Sequence, residues 1–141
     1  MKKEYDEYLT NKYPKIFSQR SGDPMKTAMC WGFECGDGWF NILNSLCAAI
    51  QSHIDHSNGK VSQVEATQIK EKFGDLRFYY VGGDEVISNY VSFAEIMSTK
   101  TCEECGKIGK TLGSGWIRTL CKEHAYLKKQ SWNDEFPEIG L

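Results

Sequence analysis

The sequence lacks the long hydrophobic runs and the motifs that would assign it to a membrane or to a common class of enzyme. No stretch approaches the roughly 18 apolar residues that a transmembrane helix needs, and the start, MKKEYDEYLTNKYP, has no apolar segment typical of a signal peptide. We therefore expect no membrane association and no export. Gly-x-Ser-x-Gly, His-Glu-x-x-His and phosphate-loop motifs are also missing, so the sequence does not favour catalysis.

A strong excess of charge is also missing. The formal net charge is −2 at pH 7. Residues 100–131 carry seven basic and three acidic side chains, whereas residues 1–99 carry ten basic and thirteen acidic ones. This mildly basic segment is weaker than the positive surface of a strong DNA-binding protein, so nucleic acid is an alternative partner rather than the expected one.

Four cysteine and histidine residues near the C-terminus are spaced like the ligands of a zinc ion. Two residues separate Cys102 from Cys105, and after fifteen more residues Cys121 and His124 repeat the spacing. Sulfur and nitrogen ligands in this arrangement are typical of structural zinc. The glycine-rich segment between the pairs has the length of a β-hairpin, which predicts the knuckle, hairpin and helix of a treble clef. Four protein ligands leave no open position for chemistry at the metal.

The other cysteine and histidine residues form a weaker pattern. Four residues separate Cys30 from Cys35, and His53 and His56 would share one face of a helix. A second zinc ion is one interpretation, and a nucleophilic Cys35–His53 pair is another that no motif supports. We favour a third, in which the thiols pack as small apolar groups and the histidines lie on a solvated helix end.

Hydrophobic periodicity predicts an α+β fold in which helices pack on a short antiparallel sheet, with the zinc module at the C-terminal end. Asp37 and Asp84 are placed to cap the second and third helices, and Pro14 ends or kinks the first. Residues 20–38 are rich in aromatic residues and glycine and predict an ordered loop. The expected elements are a helix over 3–19, a helix over 39–56, strands over 61–72 and 76–81, a helix over 85–99 and a helix over 121–130.

The pattern divides the chain into three parts. A core covers residues 1–99, a treble-clef zinc module (the C-terminal module) covers residues 100–131, and an acidic tail covers residues 132–141. Tyr90 and Met97 are expected on the buried stripe of the helix over 85–99. The predicted core includes Phe40, Leu43, Cys47, Ile50, Leu76, Phe78, Tyr80, Ile87, Val91 and Ala94.

Arginine and aromatic side chains on the β segments are the candidate ligand-binding residues. Arg77 and Tyr79 share one face of a strand, and Trp116 and Arg118 lie near the hairpin of the C-terminal module. Guanidinium groups bind phosphate or carboxylate, and aromatic rings stack on bases. The set suits a nucleotide or single-stranded nucleic acid, although such residues also cover sheet faces that bind nothing.

Three parts of the chain carry motifs that are specific as a set. They are CWGFECGDGWF at residues 30–40, KEKFGDLRFYY at residues 70–80, and the zinc ligands together with GWIRTLCKEH at residues 115–124. Over residues 28–125 they resemble a family of small, uncharacterised zinc-binding proteins of tailed bacteriophages. The resemblance implies expression in the cytoplasm of an infected bacterium. It implies no activity, ligand or site residue.

The resemblance to phage proteins favours action on the host over a role in metabolism. We expect a non-enzymatic binding protein that blocks a host process, and antiviral defence is the process we favour. The protein would sequester a nucleotide immune signal or bind a host defence protein. The alternatives are a zinc-containing nucleic-acid-binding regulator and, less favoured, a hydrolase or nuclease. The sequence leaves the oligomeric state open.

Overall fold

The computed structural model describes residues 1–133, which form a mixed α+β fold. Part of the predicted acidic tail, residues 134–141, lies outside the described residues. Within the described part, no helix has both the length and the hydrophobicity needed to cross a membrane. The elements in chain order are α1 Lys3–Lys12, β1 Phe33–Glu34, α2 Phe40–Asp55, β2 Glu65–Lys72, β3 Asp75–Val81, α3 Glu85–Ser98, β4 Lys110–Leu112, β5 Arg118–Leu120 and α4 Lys122–Leu127.

The helix boundaries have local causes. α1 ends at Lys12, shortly before Pro14, because a proline disfavours helical backbone in the residue that precedes it. Asp84 caps α3 as predicted, since its carboxylate accepts the backbone N–H of Ile87 at 3.1 Å. The predicted Asp37 cap is wrong. Its carboxylate instead accepts the backbone N–H of Lys2 at 2.7 Å, and α2 follows a 3₁₀ turn that contains Asp37.

The main sheet has three strands in the order β1-β2-β3. β2 and β3 form the predicted antiparallel hairpin, with Ile69 opposite Phe78. β1 adds a short parallel strand in which Phe33 lies opposite Ile69, so the sheet is mixed rather than purely antiparallel. The loop of residues 20–38 supplies this strand. Two residues are too few to show the alternation that identifies a strand in a sequence.

The core is one hydrophobic cluster that includes residues from α1, α2, α3 and the sheet. Of the predicted core residues, Phe40 and Tyr80 are partly buried and pack against this cluster, whereas the others are buried members of it. A further group of buried residues lies in the first third of the chain, in α1 and in the short or irregular segments that follow it. The buried members of that group include Leu9, Ile16, Phe17, Met29, Phe33 and Trp39.

α3 also protects the open edge of β3. The Ser98 hydroxyl accepts the backbone N–H of Leu76 at 2.9 Å and donates to the carbonyl of Glu95 at 2.6 Å. The Glu95 carboxylate accepts the backbone N–H of Phe78 at 3.4 Å. These contacts satisfy backbone groups that an edge strand would otherwise offer to another chain.

Replacing Ser98 with alanine is expected to destabilise the protein by about 1–3 kcal/mol, because the buried N–H of Leu76 loses its partner. Urea-induced unfolding measures the change. Ser92→Ala is the matched control, since Ser92 is exposed on the same helix and should shift stability by less than about 0.5 kcal/mol. Equal effects of the two substitutions would show that the edge contact contributes nothing.

Candidate metal centre and binding surfaces

Cys102 and Cys105 lie on a tight turn at the start of the C-terminal module. The backbone N–H of Cys102 donates to the carbonyl of Lys107 at 2.8 Å, which closes the turn. The N–H of Gly106 donates to the carbonyl of Cys102 at 2.9 Å, and Gly106 has a φ of 80°, where a side chain would be strained. This backbone places the two thiols on the same side of the turn.

The second ligand pair lies where a β-hairpin meets a short helix. β4 and β5 pair antiparallel, with Lys110 opposite Leu120, so the chain returns to the Cys102 turn just before Cys121. Cys121 is the N-cap of α4, and its sulfur accepts the backbone N–H of His124 at 3.5 Å. Both ligands of this pair are therefore fixed by the first turn of α4.

The four side chains converge with the spacing of a four-coordinate metal site. The potential ligand atoms of Cys102, Cys105, Cys121 and His124 all lie within 4.8 Å of one another. The sulfurs of Cys105 and Cys121 are 3.7 Å apart, and the Cys102 sulfur is 3.6 Å from Nδ1 of His124. Tetrahedral zinc would separate its sulfur and nitrogen ligands by about 3.6–3.8 Å, and a disulfide would need about 2.05 Å between sulfurs. All six cysteines are free thiols, so this cluster fits a metal such as zinc.

The protein environment acts differently on two of the thiols. Burial raises the pKa of the Cys102 thiol to about 11. Burial acts in the same direction on Cys121, but hydrogen bonds with the backbone and ring of His124 outweigh it and lower the pKa of that thiol to about 7. A metal binds thiolates, so metal binding should release protons from this cluster at neutral pH.

Glu103 connects the cluster of four candidate metal ligands to the core. Its carbonyl accepts the backbone N–H of Gly38 at 2.7 Å, and its buried carboxylate accepts the N–H of Gly36 at 3.0 Å. The indole N–H of Trp39, a fully buried core residue, donates to the carbonyl of Thr101 at 2.9 Å. The C-terminal module is therefore packed and hydrogen-bonded directly to the core.

The remaining cysteine and histidine residues do not converge. Within residues 1–133, the four-residue cluster is the only group of three or more potential metal ligands. The Cys30 thiol donates to a backbone carbonyl at 3.3 Å, and burial raises the pKa of the Cys35 thiol to about 12. His53 lies 2.8 Å from the carboxylate of Asp84, and His56 contacts a helix carbonyl. The structure favours packed thiols and helix-end histidines over a second metal site.

The four predicted ligand-binding residues lie on two surfaces. Arg77 and Tyr79 are on the sheet face opposite the core, whereas Trp116 and Arg118 are on the C-terminal module. Within residues 1–133, no hydrogen bond, ion pair or ring contact joins any two of them. The sequence therefore named residues of two separate candidate sites.

Two carboxylates already hold the Arg118 guanidinium. Its Nη2 lies 2.8 Å from Glu104 and 3.5 Å from Glu103. Because its N–H groups and its charge are already paired with carboxylates, Arg118 would bind a phosphate more weakly than an unpaired arginine would. Trp116, in contrast, is 75% exposed and free to stack on a partner.

Periodicity also missed an apolar groove between α2 and α3. Tyr90 and Met97, predicted to be buried, are 36% and 40% exposed, and Phe93 is 66% exposed. In the sequence, the groove is indicated only by a second apolar stripe on α3. Its residues, at helical spacing, are Val86, Tyr90, Phe93 and Met97. The groove has a volume of about 420 Å³ and is lined by Asn41, Ile42, Ser45, Leu46, Ala49, Tyr90, Phe93, Ala94 and Met97.

Comparisons with known proteins identify no relative. No protein-family model matches the chain, and the searches of curated proteins and of solved structures found no match. The function must be inferred from the four candidate metal ligands, the sheet face that carries Arg77 and Tyr79, and the α2–α3 groove.

Proposed function

We propose that the protein is a non-enzymatic bacteriophage protein that blocks a host process by binding a host protein, and that a structural zinc ion holds its C-terminal module as a treble clef. Three sulfurs and one nitrogen are a ligand set that zinc prefers. The order of turn, hairpin and short helix supports the treble clef. Four protein ligands leave no position for a reactive water, which argues against a metal-dependent hydrolase or nuclease.

The α2–α3 groove is the observation that carries the proposal. The two helices run antiparallel, because His53 near the end of α2 contacts Asp84 just before α3 begins. Neither helix contains lysine or arginine, and their acidic residues are Asp55, Glu85 and Glu95. The centres of protein interfaces are likewise poor in charge and rich in aromatic residues and methionine. Exposed apolar surface in a groove is typical of a site where a partner binds.

An amphipathic helix of the host protein is the occupant that fits this groove. Its apolar side chains, spaced at three and four residues, would contact Tyr90 and Phe93. Asp55 and Glu85 are both exposed at the same end of the antiparallel pair, so a basic residue of the partner helix would complement them. The resemblance to phage proteins supports a bacterial protein as the source of that helix.

Site-specific crosslinking tests the groove directly. With benzoylphenylalanine at position 93 of the full chain in bacterial cells, we expect a crosslink to one host protein, at a segment that forms an amphipathic helix. The same probe at position 96 is the control, because Ile96 is exposed on α3 but does not line the groove. Identical products from both positions, or a crosslink only to a second copy of this chain, would contradict the proposal.

A synthetic peptide of the crosslinked segment then measures the contribution of the groove. Phe93→Glu should weaken its binding at least about tenfold, because a charge would be buried among apolar side chains. Ile96→Glu adds the same charge outside the groove and should leave affinity nearly unchanged. Calorimetry of the folded variants distinguishes lost binding from lost structure.

A nucleic-acid-binding regulator is the second candidate. Trp116 and Tyr126 of the C-terminal module are 75% and 82% exposed and could stack on unpaired bases. However, Lys107, Arg118 and Lys128 each lie within 2.8–3.8 Å of a glutamate carboxylate, so much of the local positive charge is compensated. We therefore rank this function below protein binding.

A further inference from the structure

The outer face of the main sheet carries an ordered pattern of polar side chains. In the register of β2 and β3, Gln68 lies opposite Tyr79, and Lys70 lies opposite Arg77. The intervening Ile69 is buried in the core, so these four side chains share the opposite face. Two residues along a strand span about 6.6 Å, which places the cationic pair beside the amide–aromatic pair.

A cavity of about 450 Å³ lies between the first of these pairs and the loop of residues 19–28. Tyr79 is 42% exposed, and its ring lines the cavity together with Gln19 and Gln68. Lys26 adds an exposed cation at the same cavity. An aromatic ring with two primary amides can stack on a nucleobase and hydrogen-bond to its edge.

The protein compensates the cationic pair only in part, through Asp75 and Glu95 near Arg77. Like charges directly opposite each other on a sheet destabilise it. Arg77 has one ion-pair contact, at 3.5 Å to Asp75, and its Nε has no hydrogen-bond partner within the described residues. Lys70 has the carboxylate-bearing Glu34 opposite it on β1, but no ion pair of 4.0 Å or less involves Lys70 in this part of the chain. An anion between Lys70 and Arg77 would relieve their repulsion.

We propose that this face binds a nucleoside phosphate, with the base on Tyr79 and the phosphate between Lys70 and Arg77. The separation of the two pairs is comparable to that between base and phosphate in one nucleotide. The site uses Arg77 and Tyr79 but neither Trp116 nor Arg118. It is separate from the α2–α3 groove, so either site can fail its test without affecting the other.

Nuclear magnetic resonance titration of the zinc-loaded protein with AMP, GMP, CMP and UMP tests this site. At least one nucleotide should shift the backbone amides of residues 66–70 and 77–80 in a saturable way. It should bind more tightly than either inorganic phosphate or the matching nucleoside alone. Arg77→Gln should weaken that binding about tenfold or more, because a charge-assisted contact is lost.

Lys72→Gln is the matched control, since Lys72 lies on the same face near the β2–β3 turn and beyond the proposed phosphate position. Losing one positive charge weakens binding of any anion, and high salt screens this general effect. In high salt, Lys72→Gln should therefore reduce the affinity for the nucleotide less than twofold. Lys70→Gln serves as a second variant if Arg77→Gln does not fold. The proposal is overturned by an absence of shifts at millimolar nucleotide, by shifts centred elsewhere, or by equal affinity for phosphate alone.

Discussion

Replacing Cys105 with serine is expected to release the metal, unfold the C-terminal module and lower the melting temperature of the whole protein. Cys105 is exposed, so the smaller side chain causes no packing loss, and the effect reports on the metal. In small zinc domains the free energy of metal binding, about 10–16 kcal/mol, is largely the free energy of folding. We expect the melting temperature to fall by at least about 10 °C.

The core should lose stability because buried hydrogen bonds cross from it to the module. Unfolding of residues 100–131 would leave the Trp39 indole N–H without its acceptor on Thr101, inside the core. It would also remove the contact in which the Thr119 hydroxyl donates to the carbonyl of Gly74 at 2.7 Å, at the turn between β2 and β3. Each buried polar group left unpaired costs about 1–3 kcal/mol.

Circular dichroism melting with and without a chelator measures this effect. The chelator should lower the melting temperature of the unsubstituted protein and leave Cys105→Ser unchanged, because that variant has no metal to lose. Cys30→Ser is the matched control and should behave like the unsubstituted protein, since serine can keep the hydrogen bond to the Thr27 carbonyl. A Cys105→Ser protein that melts normally without zinc would contradict the metal assignment.

Replacing Gly38 with alanine is expected to damage the protein severely, although Gly38 is not a metal ligand. A Cβ atom at this position would collide with the backbone carbonyl of Cys102 and lie 2.6 Å from the carbonyl oxygen of Glu103. Both obstacles are backbone atoms of the metal-binding turn, which cannot move aside as a flexible side chain can. The Gly38 loop and the Cys102–Glu103 turn must therefore move apart, and we expect the free energy of unfolding to fall by at least about 3 kcal/mol.

Chemical denaturation of the zinc-loaded protein measures the Gly38→Ala effect, and a zinc titration shows whether metal affinity falls with it. Gly115→Ala is the matched control in the same protein, because no atom lies within 4 Å of a Cβ built at Gly115. It should change stability by less than about 0.5 kcal/mol. If the two substitutions had similar effects, the close contact between the Gly38 loop and the metal turn would be wrong.

The metal ligands and the main helices could be predicted because their signals are local. The spacing of Cys102, Cys105, Cys121 and His124 is a property of two short turns, and the structure brings all four together. The role of Asp37 could not be predicted in this way. Its partner, the backbone N–H of Lys2, is 35 positions away, so only the tertiary fold places the two together.

The groove shows a different limit of sequence reasoning. α3 is apolar over more of its circumference than a helix with one buried face, and periodicity cannot tell which apolar residues face the core. Ile87, Val91 and Ala94 are buried as predicted, whereas Tyr90 and Met97 line the groove instead. Sequence also does not show how distant segments are arranged, and the structure places Arg77 and Tyr79 on the main sheet but Trp116 and Arg118 on the β4–β5 hairpin.

X-ray absorption at the zinc edge is the most direct test of the central claim, that the metal is structural and function lies on the protein surfaces. We predict one zinc per chain with three sulfur neighbours at about 2.3 Å and one nitrogen at about 2.0 Å. The spectrum should not change on addition of any ligand or partner. A zinc site with an oxygen neighbour from water, or with fewer than four protein ligands, would contradict the account and make metal-centred catalysis the better explanation.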